Sequence, residues 1–289
     1  HLSYEGELKE KRQQVRDALE RIGHLQGLDV LPTLGAHTPW HYRNKMQFPV
    51  AAAGKGKVAI GCFAAATHEV IDVPHMKDLV QRLRRDIPGL TSVVQNVNKR
   101  HTNVILGPKT KTVYGKGTIH DSIGPLTFHI SAQSFFQVNS EQAQHLYETA
   151  LDFADLKGGE TVADVYCGTG TITLFLAQKA KQVYGIEIVA PAIRDAVRNA
   201  KDNRVGNAQF ILGDAIYKLP ELIKNGVRPD VIVLDPPRAG CGEPVLKAIA
   251  QSKPKRVVYV SCNPATLARD CAILHHEGGW HIRAAGIMN

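Results

Sequence analysis

The second half of the chain alternates short apolar runs with helix-forming segments, and this repetition limits the possible folds more than any other feature. Apolar, β-prone runs lie near residues 162–165, 183–186, 209–212, 231–234, 257–260 and 281–287. Segments with helical spacing separate most of them, near residues 171–180, 191–203, 243–251 and 265–277. Repeated strand–helix units place parallel strands in one sheet with helices packed against it. The pattern therefore predicts an α/β domain with a doubly wound sheet.

The first part of the chain has a different pattern. Apolar residues repeat at helical spacing over residues 7–22 and predict an amphipathic helix. Residues 38–130 contain short β-prone runs separated by turns such as Gly54-Lys55-Gly56, and a long helix begins near Glu141. We therefore predict three regions: an N-terminal helix and linker over 1–37, a smaller strand-rich α+β domain over 38–132, and the doubly wound domain over 133–289.

The net charge favours a polyanionic partner. The 289 residues carry a formal charge of +8, and lysine and arginine side chains supply sequence-independent affinity for phosphates. High solubility is the alternative explanation of this charge. Clustering of the basic residues favours the first interpretation, and the clusters are Lys9 to Arg16, Arg82 to Arg85, Lys99 to His101, and Lys253 to Arg256.

Other bulk features argue against membranes, disulfides and metals. No apolar run approaches the roughly 18 residues that span a bilayer, and there is no signal-peptide pattern, so a cytoplasmic location is expected. The five cysteines are odd in number and include no Cys-x-x-Cys pair. We therefore expect free thiols in a reducing compartment and no metal site.

Three strand ends in the second half carry residues suited to a nucleoside cofactor. Gly168 and Gly170 lie between a strand and a helix, where the backbone can approach a ligand closely. Thr173 occupies the place of the third glycine of a dinucleotide fingerprint, which argues against NAD. Glu187 ends the second strand, where an acid commonly binds ribose hydroxyls. Asp214 follows the third strand and is suited to accept a hydrogen bond from an adenine amino group.

The fourth strand ends in Asp235-Pro236-Pro237-Arg238. Two prolines can simply form a rigid turn. Beside a cofactor site, however, the motif resembles the acid-Pro-Pro turns of nucleobase methyltransferases. Enzymes of that kind acting on exocyclic amines usually have an aromatic residue after the prolines. Arg238 stands there instead and is better suited to a phosphate or a carbonyl oxygen.

Cys262 follows the fifth apolar run, at the sheet edge where ligands bind in open α/β sheets. Most single cysteines are buried apolar residues, and we interpret Cys167 and Cys271 in this way. Backbone amides and nearby arginines at Cys262 would favour the thiolate, so we predict that Cys262 is a nucleophile.

Two adjacent aromatic residues, Phe135 and Phe136, precede the long helix. One of them is expected to pack in a core. The other is available to stack on an extruded base, with Gln137 hydrogen-bonding nearby.

Together these motifs resemble the uracil-5 RNA methyltransferase family, which makes 5-methyluridine in ribosomal and transfer RNA. The similarity covers nearly the whole chain and adds the motifs Tyr42-Arg43-Asn44-Lys45 and Gln95-Asn96-Val97-Asn98. It implies a Rossmann-like class I methyltransferase domain, an RNA-binding central domain and S-adenosylmethionine as cofactor. It also implies that Cys262 is the nucleophile. We predict that Asp235 belongs to the catalytic centre as well, and Phe135 and Arg238 are our candidates for holding the base. The cofactor-binding residues implied by the resemblance are Gln137, Tyr166, Thr171, Glu187, Asp214 and Asp235, and the glycine turn adds Gly168 and Gly170 to the predicted set.

The sequence departs from the family pattern in several places. The general base of the family is a glutamate farther along than Asn289, and the last strand of the sheet also lies there, so we expect the catalytic domain to lack its C-terminal end. Family members usually have a longer central domain, and the missing part falls between Val73 and Leu90. The N-terminal RNA-binding barrel and the four-cysteine cluster of some members have no counterpart. Thr171 replaces an asparagine found in some members.

Alternatives remain open at this point. We favour a uridine of 23S ribosomal RNA as the target, and the T-loop uridine of transfer RNA is the alternative. An amino methyltransferase acting on a nucleobase would use Asp235 without needing a thiol. An inactive RNA-binding fragment is the third possibility. A monomer is expected.

Overall fold

The computed structural model describes residues 2–52, 58–63, 70–72, 79–98, 106–107 and 109–288. The turn Gly54-Lys55-Gly56 and the basic cluster Lys99 to His101 lie outside these residues. So do residues 73–78, where part of the shortened central segment was expected. The chain forms two compact units, the first comprising His1–Tyr42, Asp121–Ile130 and Ser134–Asn289, and the second Arg43–His120 and Ser131–Gln133. The sequence placed residues 1–37 and 121–130 apart from the methyltransferase domain, whereas the structure groups them with it.

A five-stranded parallel sheet forms the centre of the first unit. Its strands are β9 (Thr161–Val165), β10 (Gln182–Glu187), β11 (Ala208–Leu212), β12 (Val231–Leu234) and β13 (Arg256–Tyr259). They are arranged in the order β11-β10-β9-β12-β13, so the chain builds outward from β9 in both directions. This is the doubly wound order, and the predicted α/β fold class is confirmed.

Helices connect the strands of this sheet and bury them. They are α4 (Thr171–Ala177), α5 (Ala190–Asp202), α6 (Ala215–Lys224), α7 (Glu243–Ser252) and α8 (Pro264–Gly278). All four residues of β12 are buried, as expected for a parallel strand covered on both faces. Each such aliphatic side chain contributes about 1.5–3 kcal/mol by leaving water. Helix α6 was missed by the sequence analysis, and it accommodates Pro220 in its interior.

The prediction that residues 281–287 form a sixth strand of the main sheet is wrong. The sequence places a strand over residues 281–287, but the strand observed is β14 (Ala285–Met288), and it pairs in parallel with β1 (Val30–Leu34). The two strands form a separate two-stranded sheet. Strand β1 lies in the segment that the sequence describes as a linker. The short apolar run near residue 285 thus finds its partner far away in sequence.

The N-terminal helix α1 (Tyr4–Arg21) packs against α8 of the catalytic unit. Val15 and Leu19 are buried together with Ala268 of α8 in a small apolar cluster. Ser3 caps the helix by accepting a hydrogen bond from the Gly6 amide, which satisfies one of the free donors of the first turn. The predicted amphipathic helix is confirmed, and its apolar face stabilises the back of α8.

Asn199 of α5 and Asn203, the C-cap of that helix, bind the edge of a hairpin formed by β7 (Thr118–Ile123) and β8 (Leu126–Ser131). The Asn203 side chain accepts from the Thr127 amide at 2.9 Å and donates to the Thr127 carbonyl at 2.7 Å. Asn199 accepts from the His129 amide at 2.7 Å and donates to the Thr169 carbonyl at 3.1 Å. The two side-chain amides thereby satisfy backbone groups of the hairpin that a neighbouring strand would otherwise satisfy, and Asn199 also connects the hairpin to the glycine turn. Helix α3 (Ser140–Ala154) follows the hairpin.

The second unit is rich in strands, as the sequence predicts. It contains β2 (Val50–Ala52), β3 (Val58–Phe63) and β4 (Val70–Asp72) in one antiparallel sheet, β5 (Ser92–Val97) paired with β6 (Lys109–Gly115), and helix α2 (Leu79–Asp86). The Arg84 guanidinium lies 4.7 Å from the centre of the Tyr114 ring, which attaches α2 to β6. Within the described part of the chain, no helix is long and apolar enough to cross a bilayer.

Candidate active site

The carboxyl ends of the five parallel strands meet at one edge of the main sheet. Strand order reverses between β9 and β12, and a crevice opens where connections leave in opposite directions. The glycine turn follows β9 and Asp235 follows β12, so these two motifs lie on either side of this point. Glu187 and Cys262 follow β10 and β13 at the same edge.

The glycine turn has a backbone that requires glycine at two positions. Gly168 and Gly170 have φ values of 55° and 81°, in the left-handed region that other residues adopt at a cost. A side chain at Gly170 would meet Ala196 and the Phe210 ring at 3.1 Å, whereas a Cβ at Gly168 would meet no atom within 4 Å. Gly170 therefore packs against the protein, and Gly168 faces open space available to a ligand.

Tyr166 starts the turn in a strained conformation, with φ at 72°. The Ile186 carbonyl holds it there by accepting from the amides of both Tyr166 and Cys167, at 2.9 and 3.0 Å. Burial raises the pKa of Tyr166, whose hydroxyl lies beside the Cys241 thiol. Such strain is retained where function requires a particular backbone path.

Glu187 is bound to the glycine turn. One carboxylate oxygen accepts from the Gly168 amide at 3.1 Å and the other from the Val189 amide at 2.7 Å. The residue is only partly buried, so lone pairs remain for a ligand hydroxyl. Asp214 is the N-cap of α6 and accepts from the Ile216 amide at 3.0 Å. Asp214 therefore has a structural role as a helix cap, in addition to the adenine contact that the sequence predicts.

A fully buried carboxyl group, Asp164, and a partly buried one, Asp235, lie at this edge. Burial raises the pKa of Asp235 to about 6 and that of Asp164 to about 7, since desolvation disfavours the charged form. Asp164 accepts from the Thr173 hydroxyl at 2.5 Å. Its other oxygen has no partner among the described residues. Perturbed acids in a crevice are typical of functional sites.

Thr171, the first residue of α4, interacts with the hydroxyl of Tyr147 in α3. Tyr147 is buried and packs on Phe175 with ring centres 5.3 Å apart. Burial raises its pKa, and the charge of Asp235 acts in the same direction. Tyr147 therefore supports the start of α4 through Thr171, a role that its sequence context does not reveal.

Cys262 is exposed, in the short segment between β13 and α8. The residues on either side of it are hydrogen-bonded to each other. The Ser261 hydroxyl donates to the Asn263 carbonyl at 3.0 Å and accepts from the Asn263 amide at 3.1 Å. Asn263 also caps α8 by accepting from the Ala265 amide. The thiol thus lies just before the N-terminus of α8.

The other cysteines of the first unit differ from Cys262. Burial raises the pKa of Cys167 well above its ordinary value, that of Cys241 to about 11 and that of Cys271 to about 12. Neutral buried thiols are poor nucleophiles. The environments of Cys167 and Cys271 agree with the packing role inferred from the sequence. No group of three metal-ligating side chains occurs within the described ranges.

A cavity of about 1560 Å³ extends from Cys262 along the outer side of β13. Three of the predicted site residues line it: Gln137, Asp235 and Cys262. Further walls come from α1, α3 and β14.

The adjacent aromatics separate as expected. Phe136 is 4% exposed, with its ring centre 5.7 Å from that of Phe128, whereas Phe135 is 71% exposed. The prediction that one of the pair packs in the core is therefore confirmed. Arg238 is also exposed. Both side chains are accessible to a polynucleotide.

The sequence profile of a family described as tRNA (uracil-5-)-methyltransferase matches residues 109–279. A protein of Halalkalibacterium halodurans described as an uncharacterized RNA methyltransferase is 44% identical over 346 residues, covering 98% of this chain and 75% of its own. One from Clostridium tetani with the same description is 40% identical, covering 96% and 74%. The first alignment is longer than this chain, so the relative has internal residues without a counterpart here.

The fold is similar to that of a solved enzyme from Pyrococcus abyssi. The structure of its tRNA (uracil-54, C5)-methyltransferase in complex with S-adenosyl-L-homocysteine gives a TM-score of 0.68 at 24% identity. The similarity covers 94% of this chain and 77% of that chain. The two molecules thus share a fold across both units of the present chain.

Proposed function

Because the chain belongs to the tRNA (uracil-5-)-methyltransferase family, we propose that it methylates carbon 5 of a uridine in RNA through a covalent adduct with Cys262. The protein is an RNA methyltransferase that uses S-adenosylmethionine. The observation that carries the adduct is the exposed Cys262 thiol, which lines one cavity together with Asp235 and Gln137. A methyltransferase acting on an amino group has no use for such a thiol.

The residues at the strand ends fit the cofactor. The open space beside Gly168 supports a contact between the Gly168 backbone and the amino-acid part of the cofactor, and Glu187 is the residue proposed to bind the ribose hydroxyls. Gln137, Tyr166, Gly170, Thr171, Asp214 and Asp235 complete the proposed binding residues. The bound cofactor supplies an electrophilic methyl group on a positively charged sulfur. Asp235, whose pKa of about 6 leaves it mostly ionised at neutral pH, is suited to stabilise that charge.

The reaction follows from the weak nucleophilicity of uracil carbon 5. The Cys262 thiolate adds to carbon 6, and the electron pair of the 5,6 double bond moves into an enolate. Carbon 5 then forms a bond to the methyl group, whose bond to sulfur breaks. A base removes the proton from carbon 5, and the carbon 6–sulfur bond breaks to release the thiolate. Each turnover thus replaces one hydrogen at carbon 5 with a methyl group.

The target base must leave its stack to reach Cys262. We propose that Phe135 stacks on the extruded base or its neighbour and that Arg238 binds a carbonyl oxygen or a phosphate. The basic charge of the chain suits an RNA partner, and the strand-rich second unit is the proposed RNA-binding domain. We expect a monomer that acts in the cytoplasm, with no metal.

Tritium at carbon 5 of uridine tests this function. We expect the whole protein to release tritium into water from labelled RNA only when S-adenosylmethionine is present. Methyl label entering RNA without tritium release would favour the amino methyltransferase, and neither signal would leave a binding role. Separate reactions with 23S ribosomal RNA, the substrate we favour, and with transfer RNA identify the target. The family description and the Pyrococcus neighbour give a specific reason to include transfer RNA.

Alanine at the two turn glycines should have different effects. Gly170→Ala introduces a methyl group against Phe210 and Ala196 in addition to the left-handed backbone cost, so we expect it to destabilise the protein by about 2–4 kcal/mol. Gly168→Ala carries mainly the backbone cost of about 1–2 kcal/mol, but its methyl group enters the proposed cofactor space.

Thermal unfolding and calorimetric titration with S-adenosylhomocysteine measure both changes. We expect Gly168→Ala to lose more cofactor affinity per unit of lost stability than Gly170→Ala does. Equal affinities of Gly168→Ala and the wild type would place the cofactor elsewhere.

A further inference from the structure

The loop after β12 folds back onto α8. Its backbone carbonyls at two consecutive positions are held by α8 side chains: Arg238 accepts from the Thr266 hydroxyl at 3.2 Å, and Ala239 accepts from the Arg269 guanidinium at 2.9 Å. The Cys241 amide donates to the Asp270 carboxylate at 2.7 Å. The Pro237 carbonyl also accepts from the Gly240 amide at 2.8 Å, closing a turn. Four hydrogen bonds thus define the path of this short loop.

Asp270 is the centre of this arrangement. Its side chain is fully buried, and one oxygen accepts from both the Cys241 amide and the Tyr259 hydroxyl, the latter at 2.6 Å. The other oxygen accepts from the Arg269 guanidinium at 2.7 Å. Three donors compensate the cost of burying this carboxylate. Asp270 thereby joins the loop, strand β13 and helix α8.

Gly240 allows the loop to lie this close to the helix. Its φ is 81°, and a Cβ there would lie 2.4 Å from the Arg269 guanidinium and 2.6 Å from the Asp270 carboxylate. Only glycine fits between the turn and the two charged groups. The close approach of the loop to α8 therefore depends on Gly240, Arg269 and Asp270 together.

The same helix begins directly after the nucleophile. Asn263, which follows Cys262, donates its side-chain amide to the Arg238 carbonyl at 3.3 Å. The loop that carries Asp235 and Arg238 is consequently attached to α8 at its first residues and again two turns later. Any movement of the loop changes the position of Arg238 relative to Cys262.

We propose that Arg269 and Asp270 are positioning residues that hold the Asp235–Arg238 loop against the nucleophile helix. This inference rests on the proposed function, because it assigns them to the geometry between Cys262 and the base-binding loop. Neither is among the residues proposed to bind substrate or cofactor. Arg269 acts through the Ala239 carbonyl and Asp270 through the Cys241 amide. A displacement of about 1 Å at a reacting centre can reduce the rate by roughly 100-fold.

Kinetics of Arg269→Ala and Asp270→Asn in the whole protein test the proposal. Arg269 is about half exposed but donates to one oxygen of the buried Asp270, so its removal should lower stability modestly while the protein still folds. We expect kcat for tritium release to fall roughly 10- to 100-fold, while the affinity for S-adenosylhomocysteine and the KM for RNA stay within about twofold of wild type. Arg269→Lys keeps one donor for the Ala239 carbonyl and should recover part of the lost kcat.

Arg228→Ala is the matched control. Arg228 is an exposed arginine that also donates to a backbone carbonyl, that of Ile223 at 2.8 Å, but it lies in the segment that follows α6 (Ala215–Lys224). Its removal should leave kcat unchanged. The proposal is overturned if Arg269→Ala behaves like Arg228→Ala, or if stability and cofactor affinity fall in parallel with kcat. No tritium release by the wild type would instead refute the proposed function itself.

Discussion

Replacing Cys262 with alanine is expected to abolish tritium release from carbon 5 of uridine. Without the thiolate, carbon 5 has no activated enolate from which to attack the methyl group. The rate should fall by about three orders of magnitude or more, a loss typical of removing a nucleophile. The measurement is tritium release at saturating RNA and cofactor. Cofactor binding should persist, because the residues proposed to bind it follow other strands.

The covalent step has its own readout. RNA containing 5-fluorouridine cannot lose a proton from carbon 5 after methylation, so the adduct should accumulate as a protein–RNA complex that survives denaturation. We expect this complex with wild type and with Cys271→Ala, whose thiol is neutral and largely buried. We expect none with Cys262→Ala. A stable complex with Cys262→Ala would mean that a different residue attacks carbon 6.

The parts of the fold set by local patterns were predictable from the sequence. Parallel strands are short apolar runs, and their ends were visible as the glycine turn and as Glu187, Asp235 and Cys262. The edge at which these residues meet then follows from the rule that parallel strands share a carboxyl edge. The strand-end residues are far apart in the sequence, but this does not prevent the prediction, because parallel strands of one sheet bring their carboxyl ends to the same edge.

The contacts that depend on distant partners were not predictable. Strand β14 joins β1 across nearly the whole chain, and no periodicity in either segment identifies the other. The Asp270 network has the same character: its donors come from a loop, a strand and the helix itself. Tyr147 looks like an ordinary helix residue until its hydroxyl meets Thr171. Such partners become evident only when the packing is known.

Stability of the free protein is expected to decrease between pH 5 and pH 8 because of Asp164. Burial raises its pKa from 3.8 to about 7 in the folded state, so the folded protein binds a proton that the unfolded chain has already released. The stabilisation is fully present below pH 3.8 and is lost as the pH rises toward 7. Linkage gives a decrease of roughly 2–3 kcal/mol between pH 5 and pH 8 from this group. Asp235, with its pKa raised to about 6, acts in the same direction.

Asp164→Asn should remove most of this dependence, because asparagine cannot ionise yet can still accept from the Thr173 hydroxyl. Urea unfolding at several pH values measures it, and the variant should gain stability relative to wild type as the pH rises. Asp230→Asn is the control, since the Lys255 ion pair and the Thr161 amide lower the pKa of Asp230. Stabilisation by Asp230 is lost only on acidification below its ordinary pKa of 3.8, so that variant should differ from wild type by a constant amount between pH 5 and pH 8. An Asp164→Asn variant with the same pH dependence as wild type would show that Asp164 is ionised throughout this range.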